Sequence, residues 1–108
     1  MQYIQRYYLS PKKTGAFRDW LQKNSPALIE NAPEGWKYIG TWFTVRGFGR
    51  FDVETRWELA DYAALGNRLE NETLQKLNAE WFEFIDTSIV GEVALMKSDT
   101  DIFITPGY

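Results

Sequence analysis

Residues 36–59 read WKYIGTWFTVRGFGRFDVETRWEL, and their pattern decides the fold. In the second half Phe51, Val53, Thr55, Trp57 and Leu59 alternate with Asp52, Glu54, Arg56 and Glu58. That period of two gives a strand one apolar face and one charged face. The first half, Trp36 to Arg46, carries β-branched and aromatic residues at both parities, which predicts a long strand buried on both faces. Between the two, Gly47-Phe48-Gly49 reads as a hairpin turn. It is not a phosphate loop, because it joins two strands and offers no helix N-terminus to an anion.

Upstream, QYIQRYYL over residues 2–9 reads as a strand that stops at Ser10-Pro11, a cap-plus-proline signal for a helix start. Phe17, Trp20, Leu21, Asn24 and Leu28 then recur at helical spacing, and Ser25-Pro26 predicts a kink or restart before Pro33-Glu34-Gly35 ends the element. Downstream, a helical region opens near Asp61 with Tyr62, Leu65 and Leu69. It breaks at Asn71, which caps a new helix running to about Thr87 through Leu74, Leu77, Trp81, Phe84 and Ile85. Ile89 to Lys97 is the fourth strand, and residues 98–108 are expected to dock as an extended C-terminal segment. The order βαββαβ predicts an α+β, ferredoxin-like fold with a four-stranded antiparallel sheet, in one domain spanning residues 1–108. Two helices cover one face of such a sheet. The other face needs a partner, and a homodimer or higher homo-oligomer is the expectation.

Composition bounds the chemistry. There is no cysteine, so disulfides, thiolate metal sites, iron–sulfur clusters and thiol nucleophiles are excluded. There is no histidine, which removes Ser-His-Asp catalysis, His-based zinc sites and His-ligated haem. No cofactor and no metal is expected. The carboxylate pairs Asp99-x-Asp101 and Glu70-x-Glu72 lack the ligand count and glycine turn of a calcium loop. A net charge of -3 with interspersed signs argues against nucleic acid. Neither a signal-peptide pattern at Met1–Arg6 nor an apolar run of ~20 residues is present, so the expectation is a cytoplasmic protein with no membrane partner. Aromatic residues make up 17% of the chain and include five Trp, a content that suits a pocket or interface as well as core filling.

The run from Gly35-Trp36 through Ile39-Gly40-Thr41-Trp42, RGFG, TRWEL and ADYAAL resembles the NIPSNAP-like branch of the dimeric α/β-barrel superfamily. YIQRYYLSPKKTGAFRDW looks like that branch's first strand and helix, and LNAEWFEFID like the end of its second helix. The resemblance implies a ferredoxin-like subunit whose sheet packs on a second subunit to close a barrel. The superfamily includes cofactor-independent oxygenases, haem-degrading enzymes, isomerases and ligand-sensing modules, among which fold alone does not choose. Absence of histidine departs from its haem-binding members. No catalytic set carries over residue by residue.

Two groups of residues are candidates for ligand binding. Arg6, Glu54 and Arg56 lie on strands, where they form a rim salt-bridge network or bind a carboxylate or phenolate of an apolar ligand, with Glu54 orienting the arginines. Tyr8, Trp42, Trp57 and Tyr62 are core aromatics or the lining of a pocket between sheet and helices, and Asn67 with Trp57 is the polar and aromatic pair of an oxygenase-like site. The function read from this is a homodimeric barrel protein binding a small apolar or aromatic molecule or serving a structural role. The alternative is a cofactor-independent oxygenase or isomerase acting on an aromatic or lactone substrate.

Overall fold

The computed structural model of the chain describes residues 1–46, 51–67 and 71–98. The Gly47–Gly49 turn, Leu69, Glu70 and the segment from Asp99 onward, with Asp101, lie outside the described residues. Strands β1 (Gln2–Tyr7), β2 (Trp36–Phe43), β3 (Val53–Leu59) and β4 (Glu92–Met96) form one antiparallel sheet in the order β2-β3-β1-β4. Helices α1 (Thr14–Glu30) and α2 (Glu72–Phe82) cover one side of it, and a 3₁₀ turn, Tyr62–Gly66, leads into α2. This is the ferredoxin-like α+β arrangement that the element order predicts. Among the described residues no helix is long and apolar enough to cross a membrane.

Strand parity sorts the side chains. Tyr3, Gln5 and Tyr7 of β1 stand opposite Trp57, Thr55 and Val53 of β3, and Tyr7 meets Phe17 of α1 and Trp81 of α2 edge-on. That face looks toward the helices. The opposite parity, Gln2, Ile4 and Arg6 with Glu58, Arg56 and Glu54, makes the outer face. The core on the inner side gathers Tyr7, Leu9, Phe17, Leu21, Leu28, Tyr38, Val53, Leu74 and Leu77.

Three details differ from the sequence reading. β2 is an edge strand and is not buried on both faces: Trp42 is 49% exposed and Ile39 is exposed as well. Its mixed pattern comes from a register shift between Tyr38 and Gly40, which puts Trp36 and Tyr38 on the inner face before it and Thr41 and Phe43 on that face after it. One extra residue reverses the parity. Ser10 does not cap α1. Its N–H donates to the Phe84 carbonyl and its carbonyl accepts from Lys13 N–H, closing a turn with Pro11 second and Lys12, at φ 65°, third. The helix therefore begins at Thr14, with no side-chain cap. Pro26 does not restart α1, which is continuous from Thr14 to Glu30. Asn24 and Ser25 bond back to the Trp20 and Leu21 carbonyls at 2.9 and 2.5 Å, binding the turn from which proline withdraws one donor.

Other boundaries follow local chemistry. Asp61 accepts from Ala64 N–H and Asn71 from Leu74 N–H, capping the 3₁₀ turn and α2 where the sequence places caps. α2 ends at Phe82, short of Thr87, because Ile85 pairs with Leu9 as an isolated bridge. Gly91 admits β4 to the sheet: a Cβ there would lie 2.7 Å from the Arg6 carbonyl oxygen.

Candidate functional site

A cavity of about 290 Å³ lies between the inner sheet face and the two helices. Four of the five tryptophans line it, Trp20 from α1, Trp36 from β2, Trp57 from β3 and Trp81 from α2. Trp36 meets Trp57 edge-on at 5.6 Å, Tyr38 meets Trp57 at 5.2 Å and Trp81 meets Tyr7 at 4.8 Å, whereas Trp20 stacks on Phe17. Leu21, Leu28, Leu74 and Leu77 complete the apolar lining. Pro33, Leu65 and Asn67 stand at its mouth, where the 3₁₀ turn is tied to the start of β2. Trp36 donates its indole N–H to the Ala64 carbonyl at 2.7 Å, and the Asn67 amide donates to the Glu34 carbonyl. Gly35, at φ 82°, is required at that junction, because a Cβ would sit 2.9 Å from the Ala64 methyl.

One chain of hydroxyls crosses the cavity wall. Trp81 Nε1–H donates to Tyr7 Oη at 3.2 Å. Tyr7 Oη accepts that bond and shares a second with Thr55 Oγ1 at 2.5 Å, in which either hydroxyl can donate. Thr55 is 3.0 Å from Thr41 Oγ1, and Thr41 is 2.7 Å from Tyr38 Oη. Ser25, which donates to the Leu21 carbonyl, neighbours the Tyr38 hydroxyl at the end of the chain. Beyond Tyr38 and Thr41 an open groove of about 400 Å³ runs between α1 and β2 past Arg18, Ile29 and Phe43. The hydroxyl chain therefore pins the partition between groove and cavity.

Burial pushes the Tyr7 phenol up to about 12, against the opposing hydrogen bonds from Thr55 and Trp81. Burial likewise raises Tyr38, against those from Thr41 and Ser25. Both are neutral phenols near pH 7. They hold and hand on hydrogen bonds, whereas a general base must lose its proton near the working pH. Among the described residues no group of three acidic, histidine or cysteine side chains is placed to hold a metal.

The residues singled out from sequence fall into three places. Arg6, Glu54, Arg56 and Trp42 come together on the outer face. Arg6 Nε and Arg56 Nε donate to the two Glu54 oxygens at 2.8 and 2.7 Å, and the Arg56 guanidinium lies 5.4 Å from the Trp42 ring centre. Burial alone would raise the Glu54 carboxyl, but the hydrogen bonds from Arg6 and Arg56 outweigh it and hold it below its ordinary value. Trp57 and Asn67 line the inner cavity, and Trp57 Nε1 donates to Gln5 Oε1 at 3.2 Å. Tyr8 and Tyr62 join neither group. Tyr8 packs on Phe51 at 5.1 Å, and Tyr62 is exposed with Lys97 above its ring. The expected pocket of Tyr8, Trp42, Trp57 and Tyr62 is thus not one pocket, since only Trp57 of the four lines the inner cavity.

Sequence reasoning did not single out Gln5, Thr41 and Thr55, or Trp20, Trp36 and Trp81, as site residues. The available signal was polar residues at inward parity, Gln5 between Tyr3 and Tyr7 and Thr55 between Val53 and Trp57.

No protein-family model matches the sequence, and no curated protein matches it. Solved structures do. An uncharacterised NIPSNAP domain protein from Burkholderia xenovorans superposes with a TM-score of 0.65 at 17% identity, over 91% of this chain and 94% of that one. A protein assigned as an antibiotic biosynthesis monooxygenase, from Bacteroides thetaiotaomicron, gives 0.64 at 11% identity over 97% and 95%. A conserved protein from Methanosarcina mazei gives 0.58 at 15% identity over 86% of each chain. The chain has the fold of these proteins, the ferredoxin-like α+β fold.

Proposed function

We propose that this protein is a NIPSNAP-like homodimer that binds a small apolar or aromatic molecule in the cavity between each sheet and its helices. The observation that carries the reading is the cavity itself, about 290 Å³ walled by four tryptophans, in the size range of small-molecule sites. Its polar groups are few and fixed. Titration with 2-acetylnaphthalene should quench the tryptophan fluorescence saturably, and Asn78→Trp, which fills the cavity from α2, should weaken binding at least about tenfold. Unsaturable quenching, or a variant that binds as well as the parent, refutes the reading.

The homodimer is supported by the outer face. Trp42 is half exposed there and Met96 is exposed. Arg6, Lys37 and Arg56 intersperse with Glu54, Glu58 and Glu92 across the four strands, a pattern that complements itself about a two-fold axis. Sedimentation at micromolar concentration should give twice the 12.6 kDa chain mass. Arg56→Ala should weaken the dimer by about 3–5 kcal/mol if its pair is buried there, and Lys23→Ala on the α1 surface by almost nothing. A monomer, or equal effects of the two substitutions, sinks the dimer.

Catalysis as a cofactor-independent oxygenase or isomerase is the second reading, favoured by the hydroxyl chain that borders the cavity. The raised Tyr38 value casts that phenol, which lines the cavity, as a neutral hydrogen-bonding group toward a substrate oxygen and not as a base. Oxygen consumption with a planar phenol at no more than the uncatalysed rate would remove the oxygenase.

A further inference from the structure

Most polar groups that line the cavity are committed to one another. Trp36, Trp57 and Trp81 donate their N–H groups to Ala64, Gln5 and Tyr7, Asn67 donates to Glu34, and the Thr55, Thr41 and Tyr38 hydroxyls share bonds. Two side-chain amides keep free bonding capacity, Gln5 on β1 and Asn78 on α2, and both line the cavity. An indole nitrogen only donates, so the Gln5 atom that meets Trp57 Nε1 at 3.2 Å is its oxygen, and the other end of the amide is NH2. That NH2 has no partner among the described residues. The one unbonded side-chain nitrogen or oxygen that is fully buried among them is Trp20 Nε1, so the Gln5 NH2 keeps accessible surface. Gln5 stands at inward parity between Tyr3 and Tyr7, and the bond to Trp57 fixes which way its amide is turned. A donor held in this way meets an acceptor with little further ordering.

α2 carries Asn78 to the same level. The helix starts where Asn71 bonds Asn31 of the α1–β2 connection, which enters the sheet at Trp36 beside Leu59 and Met1, and it ends where Trp81 bonds Tyr7. It therefore runs in the direction of β1. Asn78 lies one turn back from Trp81, about 4.5 Å, and Gln5 two residues back from Tyr7, about 6.8 Å. The two amides thus border one ligand space, from the sheet and from the helix. The described lining contains no Asp, Glu, Lys or Arg, so an ionised ligand would have nothing there to pair with.

We propose that the cavity selects uncharged planar molecules bearing a carbonyl group, and that the Gln5 side-chain NH2 is the donor that orients the carbonyl. This deepens the binding reading above and rests on it. It assigns the arginines no part in recognition at this site, since Arg6 and Arg56 stand at outward parity.

Three naphthalenes of one shape test it: 2-acetylnaphthalene, 2-isopropenylnaphthalene, in which CH2 replaces the carbonyl oxygen, and 2-naphthoate. Gln5→Met keeps the length of the side chain and removes the donor. It should weaken the ketone about tenfold, the scale of one hydrogen bond, and change the alkene by less than about twofold. In the parent protein the naphthoate should bind at least about a hundredfold weaker than the ketone. The carbonyl stretch of the bound ketone should lie below its value in hydrocarbon solvent, and Gln5→Met should bring it back. Asn78→Leu should leave the lowered stretch in place, which separates the two amides and decides the matter even should Gln5→Met not fold. Equal losses for ketone and alkene in Gln5→Met, an unshifted stretch in the parent, a stretch that Asn78→Leu restores, or a naphthoate that binds as tightly as the ketone overturns the inference while leaving the cavity a binding site. Failure of all three probes to bind overturns both.

Discussion

Val53 and Glu54 are neighbours on β3, yet they belong to opposite chemistries. Val53 is 1% exposed in a face of aromatics, hydroxyls and amides, whereas Glu54 stands on the outer face between two guanidinium groups. The same alternation runs through β1, where Tyr3, Gln5 and Tyr7 look inward and Gln2 and Arg6 look outward. The contrast shows how one sheet carries polarity in two ways. Inward groups are neutral and pass hydrogen bonds along a chain, because an ion without water or a partner is too costly there. Outward groups are ions that share their solvation with water.

The hardest test of that contrast moves a charge by one residue. Val53→Asp buries a carboxylate with no partner and should cost more than about 4 kcal/mol, enough to remove the cooperative transition of a marginally stable chain. Glu54→Val should stay within about 1 kcal/mol in the dissociated subunit, where both arginines are more than a third exposed. Urea unfolding of the two variants compares them directly. Similar costs would erase the distinction between the faces.

Tyr7→Phe probes the inner chain more gently. It leaves the Trp81 N–H without its acceptor and Thr55 without its hydrogen-bond partner, at about 1–3 kcal/mol near pH 7. The pH dependence has a definite sign. The folded value of about 12 lies above the ordinary 10.0, so between these the unfolded chain loses the Tyr7 proton while the folded chain keeps it. Stability is full below about pH 10 and falls as pH rises toward 12, by about 2–3 kcal/mol from this group. Tyr38 acts in the same direction. Tyr7→Phe should flatten that alkaline limb, and an unchanged limb would show that Tyr7 is not the group responsible.

The division of faces was legible in β3, where Val53, Thr55, Trp57 and Leu59 need no correction. It was not legible in β2. Counting by twos from Trp36 and Tyr38 places Trp42 inward, but the register shift at Tyr38/Gly40 sends it outward, to lie under Arg56. Gly40 is the one residue type that marks the shift, since it sits there at φ 157°. Tyr8 escaped for a related reason: β1 ends at Tyr7, so parity no longer governs its direction. Of the two tryptophans read into the pocket, Trp57 lines the cavity and Trp42 does not. Trp20 and Trp81 sit on helix stripes that spell core, and only the space between the helices and sheet, which the sequence does not encode locally, turns them into a wall. Ser10-Pro11 misled because Ser10's backbone is claimed by Phe84, a partner 74 positions away.

The smallest effect comes from the outer face, and its size is informative. Glu54 has a folded value below its ordinary 4.5, because the bonds from Arg6 and Arg56 favour the ionised form over the opposing effect of burial. A depressed carboxyl stabilises the fold above the unfolded value, and that stability is lost as pH falls through the folded one. The parent protein should therefore lose stability below about pH 4.5 that Glu54→Gln does not, and in the dissociated subunit, where Arg6 and Arg56 are accessible, the difference should be at most about 1 kcal/mol. Denaturant midpoints at pH 7 and pH 3 for both proteins measure it. Identical acid limbs would mean the two arginines do nothing for Glu54 in solution. A difference of about 3 kcal/mol or more would mean that the cluster is covered in solution although it is open on the single subunit, which is what packing against a second copy requires. The weakest ion pair in the monomer is thus a sensitive reporter of whether the outer face is ever free.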